Sequence, residues 1–332
     1  MSAGIADELP LAALASKADA VCREVYGNAV YLRGLVETTN YCVMDCAYCG
    51  IRRSNATVVR YRMSESEIAD IVGRGLKRGL KSFVLQGGED PEFGAEKLAR
   101  LADKLRLTYG CAFAITMSFG TFPKASYKLM RSAGADRYLL RFETADADLH
   151  QRLRGTRLAQ RLAALEALKE LGFEVGTGFM TGLPGDRLAG NLELLKKLQP
   201  DMVGIGPFIP HAATPLANEK GSALEPVVRA VAMTRLMLPE ANIPASTAAG
   251  SVAPSGRELV LAAGANVLMP NIGTIAYKKL YELYPGKICI DEDGFSCMGC
   301  LEKRAGSIGK ELNFGRGDSI SWRKRNAENC AQ

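Results

Sequence analysis

Short apolar segments alternate with amphipathic helical stretches along almost the whole chain, and this alternation sets the fold. Strand candidates begin near AVYLRGLVE, SFVLQGG, CAFAITMS, RYLLRFET, EVGTGFM, DMVGIGPF, IPAST and NVLMP. Between them lie helical stretches such as SESEIADIVGRGLKRGL, where Ser64 and Glu67 make a capping box. Another, RLAQRLAALEALKELG, is closed by Gly172 at the C′ position. A spacing of about thirty residues per unit is what a βαβ crossover needs. The pattern predicts an α/β protein, a closed parallel (β/α)8 barrel of the TIM type, with a doubly wound open sheet as the competing arrangement. In either one, ligands sit at the carboxyl ends of the strands. The expected division is an N-terminal helical segment over 1–28, the barrel over 29–285 and a C-terminal extension over 286–332. The early run LPLAALA reads as a short surface helix. It lacks a preceding basic region and is soon interrupted by Lys17 and Asp19, unlike a signal peptide. No stretch approaches the roughly eighteen apolar residues of a membrane span. The formal charge of +6 is spread out, and its densest basic run is Arg323, Lys324 and Arg325, which gives nucleic-acid binding little support. The chain reads as cytoplasmic, with no membrane or nucleic-acid partner.

Nine cysteines in a chain read this way point away from a disulfide framework and toward metal or redox chemistry. Cys42, Cys46 and Cys49 form C-x3-C-x2-C directly after the first strand, and Cys289, Cys297 and Cys300 form C-x7-C-x2-C after the last. The other three stand alone; Cys111 leads an apolar run and reads as core. A structural zinc site closes with four ligands, yet both histidines, His150 and His211, are distant in sequence. A four-iron cluster held by three cysteines instead keeps one iron open for a ligand. Spacing alone leaves zinc or chance clustering as alternatives.

C-x3-C-x2-C with the aromatic Tyr48 before its last cysteine resembles the signature of the radical S-adenosylmethionine (SAM) superfamily. That resemblance implies a 4Fe-4S cluster on Cys42, Cys46 and Cys49 whose open iron chelates SAM, and reductive cleavage to a 5′-deoxyadenosyl radical. Cofactors then carry the hard chemistry while the protein supplies binding and exclusion of water. The same resemblance gives roles to residues that would otherwise read as a turn, a surface arginine and a glycine-tolerant strand. Gly87, Gly88 and Glu89 match the motif whose backbone receives the SAM amino group. Glu143 matches the acidic residue at the SAM ribose or amino group, and Arg161 an arginine near the SAM carboxylate. Val203, Gly204, Ile205 and Gly206 match the adenine-contacting segment. Arg52 and Arg53 would hold an anion, shield the cluster charge or simply face solvent.

Within the superfamily, YCGIRRSN, RYLLRFETA, MTGLPGD, DMVGIGPFIPH, TPLANEK, NIPAST, GANVLMPN and LYPGKIC resemble the HydE family of diiron-hydrogenase maturases. Membership implies processing of an organometallic iron–cysteine precursor alongside HydG-like and HydF-like maturases. It also implies an auxiliary cluster, 2Fe-2S or 4Fe-4S, on Cys289, Cys297 and Cys300, with zinc or no metal as the alternatives. Ser246 and Thr247, expected at the end of strand seven, and Tyr281 and Tyr284 after strand eight would offer donors to the substrate. Strand ends five to eight carry no charge, which predicts a largely neutral chamber. Two other readings compete: a methylornithine synthase-like mutase acting on lysine, and a noncatalytic iron–sulfur carrier that needs no SAM pocket.

Overall fold

The structure, a computed structural model, describes residues 9–331. Nine strands form among the described residues: β1 (Ala29–Leu32), β2 (Gly34–Thr39), β3 (Ser82–Gly87), β4 (Ala114–Ser118), β5 (Arg137–Leu139), β6 (Glu174–Thr181), β7 (Met202–Pro207), β8 (Val267–Leu268) and β9 (Glu311–Asn313). Strands β2 to β7 pair in parallel in sequence order. Closure follows from single bridges: Met202 to Asn242, Pro244 to Val267 and Leu35 to Asn271, with β8 paired to β1. The result is an α/β barrel, as the alternation predicts. Apolar side chains fill the layer between strands and outer helices; Phe83, Ile115, Tyr138 and Val203 are fully buried or nearly so.

Several expectations change in detail. The first strand breaks at Arg33 into β1 and β2. The seventh is reduced to backbone bonds around Asn242 and Ala245, because Pro244 has no N–H to continue a ladder. Ser246 is therefore not at a strand end but caps the helix Thr247–Val252, accepting from the Ala249 N–H at 3.3 Å. The N-terminal helix is no short surface segment. It spans Leu11–Tyr26 and buries Leu14, Ala18 and Cys22 against the helix Leu224–Met237. Cys111 is exposed rather than core, since it sits in the turn after Gly110 and the buried register starts at Phe113.

Residues 311–325 run under the barrel as a strap. β9 lies parallel to β1, and beyond it the Gly317 carbonyl accepts from Arg33 Nη2 at 3.1 Å and Asn242 Nδ2 at 2.9 Å. Arg137, fully buried, reaches Glu174 and Asp318 at 2.5 Å each. Arg325 pairs with Asp201 at 2.7 Å and Lys324 with Glu240, so much of the basic run is tied to the barrel itself. Because Arg33 also lines the central cavity, the strap supports its floor.

Candidate active site

At the carboxyl ends of the strands a cavity of about 360 Å³ gathers residues from most of the barrel. Cys42, Cys46 and Cys49 line it from the loop that follows β2. That loop carries little regular structure and is tied down by side chains. Asn40 Nδ2 donates to the carbonyls of Val59 and Leu280, and Arg60 donates to those of Asn40, Ile51 and Arg52. Arg52 is spent on Asp45 at 2.6 Å, which holds that carboxyl well below the usual range; Arg53 is exposed. Burial raises all three thiols, with Cys49 pushed up to about 12. Without added positive charge they stay protonated, so the set is suited to a metal that supplies that charge.

The donor set discriminates between metals. Among the described residues, Cys289, Glu292 and Cys297 bring ligand atoms within 4.8 Å of one another, as a single ion requires. Cys42, Cys46 and Cys49 share the cavity wall with no fourth thiol beside them among the described residues, the complement that leaves one iron of a four-iron cluster open, whereas a structural zinc site closes with four ligands. Neither His150 nor His211 lines the cavity to act as a fourth ligand. Cys300 stands outside the second group and is exposed, while Arg257 Nη2 lies 4.0 Å from Cys289 Sγ.

Gly87 ends β3, and with Gly88 and Glu89 just beyond it lines the cavity. A Cβ on Gly88 would lie 2.1 Å from the Tyr41 carbonyl oxygen and 2.8 Å from Cys42 Cβ, so only glycine lets this turn rest on the cysteine loop. The Glu89 N–H donates to Cys42 Sγ at 3.4 Å. Its carboxylate accepts from Arg154 at 2.9 Å and Arg161 at 3.4 Å, and Arg154 also donates to the Tyr48 hydroxyl at 2.8 Å. Burial and the neighbouring Arg154 both lower the Arg161 pKa.

Glu143 enters the cavity through a bulge. Leu140 donates to Gly176 and Glu143 to Gly178, so three steps on one strand span two on β6. Glu143 adopts a left-handed φ of 67°, a conformation that costs a non-glycine residue about 1 kcal/mol or more. The bulge turns both Arg141 and Glu143 inward, and they pair at 2.5 Å. Burial pushes Glu143 up, but Arg141, joined by the charges of Arg154 and Arg161, outweighs it and the carboxyl is held low. Gly204, Ile205 and Gly206 line the cavity, whereas Val203 does not and packs in the core behind β7. Ser246, Thr247, Tyr281 and Tyr284 also line it, and the Tyr281 hydroxyl accepts from Gln86 at 3.4 Å.

Sequence reasoning passed over Arg141, Arg154 and Thr116. Arg141 sits two residues before Glu143. Thr116 and Ser118 share one face of β4 by the period of two, and both line the cavity. The Thr116 Oγ1 is buried without a partner among the described residues. No local pattern marks Arg154, which ends the helix Ala147–Arg154. The chamber is also less neutral than expected, because Arg33, Arg141, Arg154 and Arg161 reach it from the first half of the barrel and its outer helices.

A family model for the radical SAM superfamily matches residues 36–198. The [FeFe] hydrogenase maturase subunit HydE of Thermotoga maritima is 45% identical over 303 residues, covering 90% of this chain and 86% of that protein. Among solved structures, methylornithine synthase (PylB) aligns with a TM-score of 0.78 at 26% identity, covering 91% of this chain and 89% of that one. HydG, a maturase of the [FeFe]-hydrogenase, aligns with a TM-score of 0.79 at 19% identity over 97% and 74% of the two chains, a likeness of fold.

Proposed function

From a chain that belongs to the radical SAM superfamily and, within it, to the HydE family, we propose a maturase that cleaves SAM and uses the radical on a small iron–cysteine precursor held inside the barrel. The carrying observation is convergence: three thiols without a fourth, the Gly87–Glu89 turn and the Glu143 bulge share one cavity. A carrier of clusters would need only the first of these.

When bound, the 4Fe-4S cluster and SAM supply the electron and the sulfonium whose reductive cleavage yields a 5′-deoxyadenosyl radical. Cys42, Cys46 and Cys49 would hold the cluster. The Gly87–Glu89 turn, Glu143, Arg161 and the strand Gly204–Gly206 would hold SAM. In the same cavity Ser246, Thr247, Tyr281 and Tyr284 would offer hydroxyl donors to the precursor, and Thr116 adds another. The strap and the packed lower wall of Val84, Met202, Val267 and Met269 keep water from the floor.

A mutase acting on lysine would need a free carboxylate to meet the substrate ammonium. The acidic residues lining the cavity, Glu89 and Glu143, are already paired with Arg154 and Arg141, which favours the maturase. HydG-like and HydF-like partners, a cytoplasmic setting and an auxiliary iron-binding site after the last strand belong to the same proposal; Cys289, Glu292 and Cys297 are gathered there and Cys300 stands outside, so Glu292 takes the third position.

The test is anaerobic reconstitution followed by two assays. The protein should form 5′-deoxyadenosine and should lose that activity in Cys42→Ala, Cys46→Ala or Cys49→Ala. It should also support maturation of apo diiron hydrogenase with the other maturation components. Methylornithine made from lysine, with no gain in hydrogenase activity, would sink the maturase reading.

A further inference from the structure

His150 is fully buried, and it lies outside the cavity. Its Nδ1 lies 2.9 Å from the carbonyl oxygen of Phe142, the residue before Glu143. A carbonyl can only accept, so Nδ1 carries the proton and the imidazole donates. The other ring nitrogen, Nε2, has no partner among the described residues. The single polar contact of this buried ring is therefore spent on the backbone of the bulge.

That backbone needs holding. Glu143 has the left-handed φ of 67° in a strand-end segment that carries one residue more than its neighbour β6. The Phe142 carbonyl takes a second bond from the Thr144 N–H at 2.9 Å, so His150 and Thr144 grip the bulge at its turning point. The helix Ala147–Arg154 that carries His150 also carries Arg154 one turn later, on the same face. Arg154 bonds Tyr48 and Glu89. One helix thus steadies the Glu143 bulge through His150 and the cysteine loop and Gly87–Glu89 turn through Arg154.

We propose that His150 is a positioning residue for SAM, setting the backbone that presents the Glu143 carboxylate to the cavity. The inference rests on the reading of Glu143 as a SAM contact. His150 touches no ligand itself.

The experiment measures the SAM dissociation constant on reconstituted, reduced protein by titrating the SAM-induced change in the cluster's EPR signal, with iron content as a control. His150→Leu should bind SAM about tenfold more weakly, a loss of about 1.4 kcal/mol, at unchanged iron content. His150→Asn, whose side-chain N–H occupies the place of Nδ1–H, should stay within about threefold of the parent. His150→Gln, with the same amide displaced by a methylene, should behave like leucine. If the leucine variant fails to fold, the asparagine and glutamine pair makes the same distinction, since both side chains are polar amides. In a double-mutant cycle, adding His150→Leu to Glu143→Ala should produce no further loss. Additive losses, or leucine and glutamine variants that bind like the parent, would overturn the inference. Unchanged affinity in Glu143→Ala alone would instead overturn the reading of Glu143, which keeps the two failures distinguishable.

Discussion

Replacing Arg137 by leucine is expected to damage the barrel floor more than any surface change. Arg137 is fully buried and spends its guanidinium on Glu174 at 2.5 Å, Asp318 at 2.5 Å, Ser82 Oγ at 2.8 Å and the Arg316 carbonyl at 2.8 Å. Leucine fills part of the space but leaves Glu174 with Arg33 at 3.8 Å as its remaining cation. Removing one partner of a buried pair costs about 3–5 kcal/mol because the other charge stays buried. For a 332-residue chain the unfolding entropy is about 0.7 kcal/mol/K, so the melting temperature should fall by about 4–7 °C. Asp318 would lose its buried partner, so hydrogen exchange should quicken first over residues 314–319. Lys324→Ala removes an exposed pair with Glu240 and should change the melting temperature by less than about 1 °C. A leucine variant that melts with the parent would refute the account of the floor. So would one that melts early with the strap still protected.

Three further outcomes are expected. Gly88→Ala forces a Cβ to within 2.1 Å of the Tyr41 carbonyl, so the cysteine loop must shift; iron uptake on reconstitution should fall at least several-fold, measured by iron and sulfide analysis. Changing Cys289, Cys297 and Cys300 together to serine should lower iron content yet leave 5′-deoxyadenosine formation largely intact, and an inactive but folded protein would contradict that. Burial, aided by the positive charges of Arg154 and Arg161 and opposed by Glu143 and the Phe142 carbonyl, lowers the His150 pKa. Its contribution to stability is therefore complete above the free imidazole value of about 6.5 and declines as pH falls through it. Melting temperatures taken from about pH 8 down to 5 should show a steeper acid loss in the parent than in His150→Asn.

The architecture was legible because two periodicities repeat along the chain, and glycine or capping signals mark where several helices stop or start. What escaped was set by contacts remote in sequence. Pro244 interrupts a segment whose composition reads as strand, and Arg33 breaks the first strand because its side chain turns toward Glu174 and the strap. The cysteines and the Gly87–Glu89 turn could be found because their chemistry dictates local spacing. Arg154 could not, since its partners Tyr48 and Glu89 lie 106 and 65 residues away in the chain. Glu143 was found by motif, but its left-handed backbone was not, because a bulge exists only relative to the strand beside it.

The distribution of charge in the chamber explains why its cationic character was missed and what it serves. The segments GTGFMTG, GIGPFIP, PASTAAG and VLMPNIG are free of charge, so the chamber reads as neutral from that half of the barrel. The guanidiniums of Arg33, Arg141, Arg154 and Arg161 come from the other side and outnumber the carboxylates of Glu89 and Glu143. Such an excess is costly to bury unless negative charge arrives. Arg154 and Arg161 converge on Glu89, beside Cys42, and Arg141 on Glu143. Thiolates formed on metal binding and a SAM carboxylate would bring that charge where three of the four cations stand. Arg33 is the exception. Burial and Arg137 lower its pKa to about 9 while Glu174 opposes them, and its contacts are Met202, Gly317 and Glu174 on the floor. The cations at the top thus stand where cofactor charge would fall, and the rest of the cavity wall is mainly apolar and hydroxyl-bearing, with one paired cation beneath it.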